Sequence, residues 1–328
     1  MAKKKSKNNF VRIEGYVYDV VTDSKNSSNN FGVKVTKAKP EEGKAGGQEY
    51  IGGIVKIATD EDLTNIIDVH FVYVTPKTTS GNDNQNYTLL KQLADGNVPT
   101  VMKNGKENAE KWQIDGALGV NEFFVDRNGE ESFVSAKQIN GSFVRKVAVL
   151  NEDVDKRAYF ETDIVLTGCT HVDEDEEKGR PEKVILKGAI FNFRDDLLPV
   201  EYDVFDPNAM TYFEGLEISS KNPTATKVRG RIISQTVKTL REEESAFGAP
   251  VVIESSSTSR SYEVTWAARE PYLWDDESFM LANDFAEAIQ NHEIKKATLK
   301  KSYEDRKNQK TETAKQNAMN ISKGGYNF

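Results

Sequence analysis

Most of the chain alternates between apolar and polar residues with a period of two, which is the pattern of half-buried β-strands. The alternation starts at Phe10 with FVRIEGYVYDV and returns in many segments as far as Glu270. Two stretches instead space their apolar residues as helices do, NYTLLKQLADG at Asn86–Gly96 and PNAMTYFEGLE at Pro207–Glu217. The pattern therefore predicts a mostly β protein with two short helices.

A glycine recurs in the middle of these predicted strands. The frame apolar, polar, Gly, any residue, apolar occurs in IEGYV, IDGAL, INGSF, LKGAI and VRGRI. Glycine inside a strand packs no side chain and costs backbone entropy, so its repeated use needs a reason. Small barrels supply one, because their strands bend sharply at glycines and bulges. Gly116 follows the first predicted helix as Gly230 follows the second.

The two halves of the chain repeat one order of elements, in which three strands, a short helix and two strands follow each other. This is the order of the OB-fold, a five-stranded barrel. We therefore predict a mostly β fold of two tandem OB-like barrels, each with a short helix between strands 3 and 4, and a different all-β arrangement is the alternative. The predicted parts are a basic arm at 1–9, barrels at 10–152 and 153–272, a basic helix at 273–310 and a flexible tail at 311–328.

The composition limits the classes of function. The chain has 328 residues, 37% hydrophobic and 29% charged, which fits thin cores with much polar surface. A net charge of −8 argues against a wholly basic coat for nucleic acid but leaves local positive patches open. One cysteine, Cys169, excludes an intramolecular disulfide, and the absence of a secretory signal or long apolar run predicts a soluble intracellular protein.

Enzyme signatures are missing from the sequence. It contains no Walker motif, nucleophile elbow, histidine pair at metal spacing or Rossmann glycine pattern. The acidic run Asp173–Glu177 has Lys178 and Arg180 beside it, which is more typical of a solvated loop than of a metal site. We expect no catalysis, no cofactor and no bound metal.

Nucleic-acid binding has better support, because aromatic rings and cations share faces of the predicted strands. Aromatic faces for stacking and cations along the phosphates are what sequence-independent binding of single strands needs. The candidate residues are Arg12, Tyr16, Tyr18, Lys34, Lys37, Lys56, Tyr73, Trp112, Lys187, Arg229 and Arg231. Of these, Tyr16, Tyr18, Tyr73 and Trp112 are assigned to stacking and the cations to phosphates, with further contacts from Lys3–Lys7 and the C-terminal Lys/Arg cluster. The alternative is that the rings pack under loops and the lysines only aid solubility.

The segments NFVRIEGYVYDV and NFGVKVTKA resemble the first two strands of OB-fold single-stranded DNA-binding proteins of phages and mobile elements of Gram-positive bacteria. The resemblance implies single-stranded DNA as the partner, in phage or plasmid replication or recombination, in the cytoplasm of a bacterial host. Many bacterial members end in an acidic block with a terminal aromatic residue, whereas here GGYNF keeps the aromatic Phe328 without the acidic block. Self-association through the tail is therefore a second interaction to consider.

Two other functions stay open at this stage. The first is a virion component or another structural protein whose β domains assemble with copies of themselves. The second is a nuclease or other metal enzyme, for which the sequence offers the least support.

Overall fold

The computed structural model describes residues 7–20, 34–37, 47, 49–127, 129–176, 180–243, 251–274 and 282–323, with side chains except at 20, 34, 37, 235–243, 251–259 and 310–323. The strands are β1 Asn9–Val20, β2 Lys34–Lys37, β3 Glu49–Ala58, β4 Ile66–Val74, β5 Lys111–Arg127, β6 Glu130–Lys146, β7 Ala158–Val172, β8 Lys183–Phe191, β9 Leu197–Val204, β10 Thr224–Glu243 and β11 Val251–Ala267. The α-helices are α1 Gln85–Ala94, α2 Val101–Asn104, α3 Pro207–Gly215 and α4 Ala282–Lys323.

The first half of the chain forms a closed ring of five strands. β1 pairs antiparallel with both β3 and β5. β3 continues to β4, β4 pairs parallel with β6, and β6 returns antiparallel to β5. The short β2 adds a hairpin partner to β3 outside this ring. The ring order β1–β3–β4–β6–β5 is that of a small Greek-key barrel, as the sequence predicts.

The described strands of the second half form the same kind of ring. β7, β8 and β9 pair antiparallel in succession, and β9 meets β11 in parallel. β11 pairs with β10, which returns antiparallel to β7 and closes the ring. Helix α1 lies between the third and fourth ring strands of the first barrel, and α3 lies between those of the second. The predicted fold class is therefore confirmed.

Both of these helices begin and pack as their sequences indicate. Asn84 caps the first turn of α1, and Asp206 caps α3 just before Pro207 at the first helical position. Each helix buries one side, including Leu90 in α1 and Phe213 in α3. Full burial of such side chains stabilises the fold by about 1.5–3 kcal/mol each, so the helices are held mainly by packing against the barrels.

The two barrels join through their first strands. Residues Asn9–Ile13 of β1 pair antiparallel with Ala158–Thr162 of β7, and Val11 lies opposite Phe160. Both side chains are fully buried, and the apolar cores of the two barrels form one continuous cluster. One side of the sheet at this joint is therefore core, and the other side faces outward.

The glycines of the fourth ring strands sit where the backbone approaches another strand closely. A Cβ atom added at Gly116 would lie 2.1 Å from the carbonyl oxygen of Asn140, and one at Gly230 would lie 2.1 Å from that of Glu263. The register shifts beside both glycines, between Asp115 and Gly116 and between Arg229 and Gly230. These glycines allow the bulged strands to bend around the barrels.

Helix α4 is longer than the sequence predicts. It continues to Lys323, past the predicted helix end at residue 310, so residues 311–323 are helical, and residues 324–328 lie outside the described part of the chain. Near its start Phe285 packs on Trp274, and further along the ring of Tyr303 lies 6.2 Å from that of Phe124 in the β5–β6 hairpin. Within the described residues, none of the helices has an apolar stretch long enough for a membrane span.

Candidate nucleic-acid interface

The outward side of the sheet at the barrel joint carries a mixed aromatic and charged surface. Six neighbouring strands form it, in the order β6, β5, β1, β7, β10 and β11. We call it the junction face and define it by the two register rows at its centre. Its residues are Phe10, Arg12, Asp115, Phe143, Tyr159, Glu161, Arg229, Arg231, Glu263 and Trp266.

The register places these residues side by side across the strands. In one row Phe143 lies opposite Asp115, Asp115 opposite Arg12, and Arg12 opposite Tyr159, which in turn faces Arg231. The partner of Arg231 on β11 is Glu263. The second row contains, in order, Phe10, Glu161, Arg229 and Trp266. Both rows cross the joint without a break, so the two barrels present one surface.

Aromatic rings lie at the centre and at the margins of the junction face. The rings of Phe10 and Tyr159 are 5.9 Å apart beside the joint. At the margins Phe143 is 72% exposed and Trp266 is 45% exposed, which is unusual for side chains of this size. The guanidinium of Arg229 lies 4.8 Å from the centre of the Trp266 ring, in cation–π contact. Exposed rings beside guanidinium groups can stack on bases.

Each arginine of the junction face also lies against a carboxylate. Arg12 donates Nε to Oδ1 of Asp115 at 2.7 Å and Nη2 to Oδ2 at 3.0 Å, and these hydrogen bonds raise the pKa of Arg12. Arg231 donates to Glu263 at 2.7 Å, which raises the pKa of Arg231. Arg229 pairs in the same way with Glu161, so three arginines and three carboxylates are paired on the face and its cations are locally balanced.

A groove of about 620 Å³ runs along the joint and connects the two rows. Its lining includes Arg12, Tyr159, Arg229, Arg231 and Trp266. Such a volume is within the range of pockets that bind organic ligands. Three predicted binding residues from different parts of the sequence, Arg12, Arg229 and Arg231, therefore meet at one concave surface.

The prediction that Trp112 and Tyr16 stack on bases is wrong. Trp112 is fully buried in the first barrel and donates its indole Nε1 to Glu110 at 2.8 Å. Tyr16 is 8% exposed, its hydroxyl donates to Glu61 at 2.9 Å, and burial followed by this hydrogen bond raises its pKa. Tyr16 lies on the same side of β1 as Arg12, but Ala109 and Leu150 cover its ring in a small apolar cluster that is separate from the main core. Neither ring can stack on a base in this fold.

The other predicted residues are spread over the outer surfaces of the barrels. Tyr73 at the end of β4 is 49% exposed, and its ring lies 4.5 Å from that of Tyr50. Lys56 pairs with Asp68 at 3.0 Å, and the Nζ of Lys187 lies 3.6 Å from Glu201 in the second barrel. The remaining three are half-buried Tyr18 on β1, and Lys34 and Lys37 on β2, whose side chains lie outside the described residues.

Most of the terminal cations that the structure describes bind within the chain. Lys7 is buried, pairs with Asp195 at 2.9 Å and lies over the ring of Phe191, whereas residues 3–6 lie outside the described part. On α4 the cations pair with carboxylates of the β5–β6 hairpin. These pairs are Lys295–Glu122, Lys300–Glu131 and Lys307–Asp126. The C-terminal cluster thus fastens the helix to the first barrel, and phosphate contacts from these lysines would require breaking the pairs.

The aromatic residues that border the arginines were not predicted from the sequence. Phe10 and Tyr159 come together only through the pairing of β1 with β7. Phe143 and Trp266 take their places at the two margins through the bulges beside Gly116 and Gly230. One signal was available, since Phe10 alternates with Arg12 on the first predicted strand.

A metal site has no support in the described ranges, where no group of three or more His, Cys, Asp and Glu side chains is placed to hold an ion. His171 lies 2.7 Å from Glu214 and 3.0 Å from Glu182. The hydrogen bond to Glu214 raises the pKa of this exposed imidazole. This is the geometry of a surface ion-pair cluster around β7.

Comparisons with known proteins give one family match and low structural similarity. A family model described as YorF matches residues 7–310, and none of the curated proteins is a match. The wild-type single-stranded DNA-binding protein from Thermus aquaticus is similar at a TM-score of 0.40 and 11% identity, over 82% of this chain and 96% of that chain. A deletion mutant of the same protein is similar at a TM-score of 0.40 and 12% identity, over 82% and 97% of the two chains. These values are too low to transfer a ligand from that protein to this chain.

Proposed function

The chain belongs to the YorF family, and we propose that it is a non-enzymatic single-stranded DNA-binding protein whose ligand lies on the junction face. The observation that carries the proposal is the meeting of exposed aromatic rings with arginines on one surface shared by both barrels. Trp266 and Phe143 at its margins are exposed, and Arg229 lies against the indole ring. Stacking on such rings is worth about 1–3 kcal/mol per base and tolerates any sequence.

The size of the face suits an extended strand. Phe143 on β6 and Trp266 on β11 are separated by five strand spacings of about 4.8 Å, about 24 Å in all. Phe10 and Tyr159 lie between them, beside the joint. A single strand crossing the joint would therefore meet rings at both margins and at the centre, which is the reason for proposing one site per chain rather than one per barrel.

The arginines supply the phosphate contacts of this site. A guanidinium has five donors, so Arg12 and Arg231 keep N–H groups available for a phosphate while a carboxylate holds the others. Arg229 can also continue a stack of bases from the face of Trp266, because planar guanidinium groups stack on rings. The proposed division of roles is stacking by the four aromatic residues and backbone contacts by the three arginines.

The first barrel carries further aromatic and cationic residues outside the junction face. The exposed Tyr73 near the end of β4 packs on the half-buried Tyr50 of β3, and Lys56 lies on the same barrel. The β2 residues Lys34 and Lys37 lie on the strand next to Tyr50. We propose that longer strands extend onto this surface, and that the chain acts in phage or plasmid replication or recombination in a bacterial cytoplasm.

A titration tests the proposal directly. Fluorescence anisotropy of labelled oligo-dT should rise with micromolar protein at low salt, whereas a duplex of the same length should bind more weakly. No binding to oligo-dT under these conditions would contradict the proposal and leave the self-assembling structural protein as the better hypothesis. Incubating DNA with the protein and Mg²⁺ or Mn²⁺ should give no cleavage, and degradation would instead identify a nuclease.

Self-association through residues 311–328 stays a prediction. Sedimentation of the full chain and of a chain shortened at residue 310, with and without oligo-dT, tests it. A lower mass on DNA after shortening would support the prediction, and an unchanged mass would contradict it.

A further inference from the structure

The carboxylates of the junction face are placed to control what its arginines bind. Asp115 holds Arg12 through two hydrogen bonds, Glu263 holds Arg231, and Glu161 holds Arg229. The three carboxylate side chains are only 21%, 15% and 20% exposed. Partial burial shields these pairs from solvent and salt, so the charges stay matched.

Of the three carboxylates, Glu161 has hydrogen bonds from the largest number of residues. It accepts hydrogen bonds from Asn8 Nδ2 at 2.6 Å, from Lys227 Nζ at 3.4 Å and from Arg229 Nε. It lies on β7 directly beside the barrel joint, opposite Phe10. Its negative charge therefore occupies the centre of the face, where a DNA phosphate would pass.

The order of charges across the strands also prevents a continuous cationic track. On the first barrel's side of the joint the arginine is on the central strand β1, and its carboxylate Asp115 is on β5. On the other side the carboxylate Glu161 is on the central strand β7, and Arg229 is on β10. Taken strand by strand from β5 to β11 over both rows together, the sign of the charge therefore alternates. Within the first row itself, Arg12 and Arg231 are separated only by Tyr159.

This arrangement changes the energetics of binding. A phosphate that takes an arginine from a carboxylate leaves the carboxylate to recruit a cation, which cancels the counterion release that normally drives polyanion binding. A DNA backbone without bases then gains little binding free energy from the junction face. A strand that carries bases still gains the stacking energy of each base on a ring. We propose that Asp115, Glu161 and Glu263 are specificity-determining residues that restrict the junction face to strands whose bases can stack. This inference rests on the proposed function.

Neutral variants test this inference with two ligands. Asp115→Asn, Glu161→Gln, Glu263→Gln and their triple combination are titrated with oligo-dT and with an abasic oligodeoxynucleotide of the same length. The unaltered chain should bind oligo-dT with a shallow salt dependence and the abasic strand hardly at all. Each substitution should raise affinity for the abasic strand about three- to fivefold. It should also steepen the slope of log K against log salt by about 0.7.

The control is Asp95→Asn, which removes a carboxylate paired with Lys91 on α1, away from the junction face. It changes net charge equally and should leave both affinities and the salt slope unchanged. Circular dichroism and thermal unfolding establish that each variant is folded.

The outcomes separate the two proposals. Failure of the unaltered chain to bind oligo-dT overturns the proposed function and this inference together. Binding of oligo-dT with unchanged or weaker abasic binding in the triple variant overturns the inference and leaves the function in place. Tight, steeply salt-dependent binding of the abasic strand by the unaltered chain also overturns the inference.

Discussion

Gly116 and Gly230 occupy equivalent positions in the two barrels. Gly116 lies opposite Val11, Gly230 lies opposite Phe160, and Val11 and Phe160 lie opposite each other at the joint. Each glycine is on the fourth ring strand, beside a register shift and against a carbonyl oxygen of the fifth. The chain therefore repeats itself about the β1–β7 contact, as the shared glycine frame in the sequence indicates.

The same repeat positions the exposed rings. The register shift beside Gly116 pairs Asp115 with Phe143, and the shift beside Gly230 pairs Arg229 with Trp266. Phe143 and Trp266 are therefore equivalent in the two barrels, at opposite margins of the junction face. The bulges that bend the strands also turn these two rings outward.

Alanine at either glycine should destabilise its barrel. A methyl group 2.1 Å from a backbone carbonyl oxygen cannot be accommodated unless paired strands separate. We expect Gly116→Ala and Gly230→Ala each to lower the free energy of unfolding by about 1–3 kcal/mol or more, measured by urea denaturation. Gly215→Ala, at the end of α3 with no atom within 4 Å of the added Cβ, should have little effect or stabilise slightly. Equal stability of the three variants would contradict the close-approach argument.

Much of the fold could be predicted because strands and helix ends follow from the local pattern of residues along the chain. Period-two alternation located β1 to within one residue, since FVRIEGYVYDV starts at Phe10 and the strand is Asn9–Val20, and Pro207 marked the start of α3. The length of α4 could not be predicted, because its last turns are polar and resemble a tail. Its middle is held by pairs such as Lys295–Glu122 and Lys307–Asp126, which join residues far apart in sequence.

Removing the marginal rings should weaken binding of single-stranded DNA. We expect Trp266→Ala and Phe143→Ala each to cost about 1–3 kcal/mol of binding free energy, because each removes one stacking surface. Phe193→Ala is the matched control, since Phe193 is 89% exposed in the β8–β9 turn and is not on the junction face. Anisotropy titrations with oligo-dT measure the three affinities. A loss for Phe193→Ala as large as for Trp266→Ala would contradict the proposed site.

Tryptophan emission offers an independent measurement. Trp112 is fully buried and the indole of Trp274 donates to Pro223, whereas Trp266 is exposed beside Arg229. Oligo-dT should therefore quench emission mainly from Trp266, because a base stacked on an indole ring quenches its fluorescence. Quenching should be lost in Trp266→Phe and kept in Trp274→Phe. Quenching that persists in Trp266→Phe would place the ligand elsewhere.

The binding residues were harder to predict than the fold, for a physical reason. Alternation along a strand gives the side on which Arg12 or Arg231 points, but not which strands become neighbours. For Trp112 a local signal was available, because it alternates with the buried Ile114 on the core side of β5. Pairing of β1 with β7 creates the junction face, and such a long-range contact leaves no local signal in one sequence.

Stability should fall in acid through Glu61. Hydrogen bonds from Lys106, Arg157 and Tyr16 lower the pKa of Glu61 from 4.5 to about 2. The folded chain thus keeps this carboxylate ionised, so its stabilisation is complete above about pH 4.5 and is lost as the pH falls through about 2. Its size is about 1 kcal/mol or less, because the side chain is 51% exposed and therefore screened.

Urea unfolding of the wild type and Glu61→Gln across pH 2–7 checks this expectation. The free energies of unfolding of the wild type and Glu61→Gln should differ near neutral pH and converge toward the acid limit. The control is Asp62→Asn, at the exposed neighbouring position, which should not alter the free energy of unfolding in this way. A constant difference between wild type and Glu61→Gln at every pH would contradict the role of ionisation.

The attachment of α4 should depend on Glu122. This carboxylate is 2% exposed and accepts from His292 at 2.7 Å and from Lys295 at 2.9 Å, which joins the helix to β5. Glu122→Ala leaves both partners without their acceptor, so we expect a loss of about 1.5–3 kcal/mol and faster hydrogen exchange in α4. Glu131→Ala removes the more exposed pair with Lys300 and should have a smaller effect. Hydrogen exchange with mass spectrometry measures both variants, and equal protection of α4 in Glu122→Ala and wild type would contradict this role.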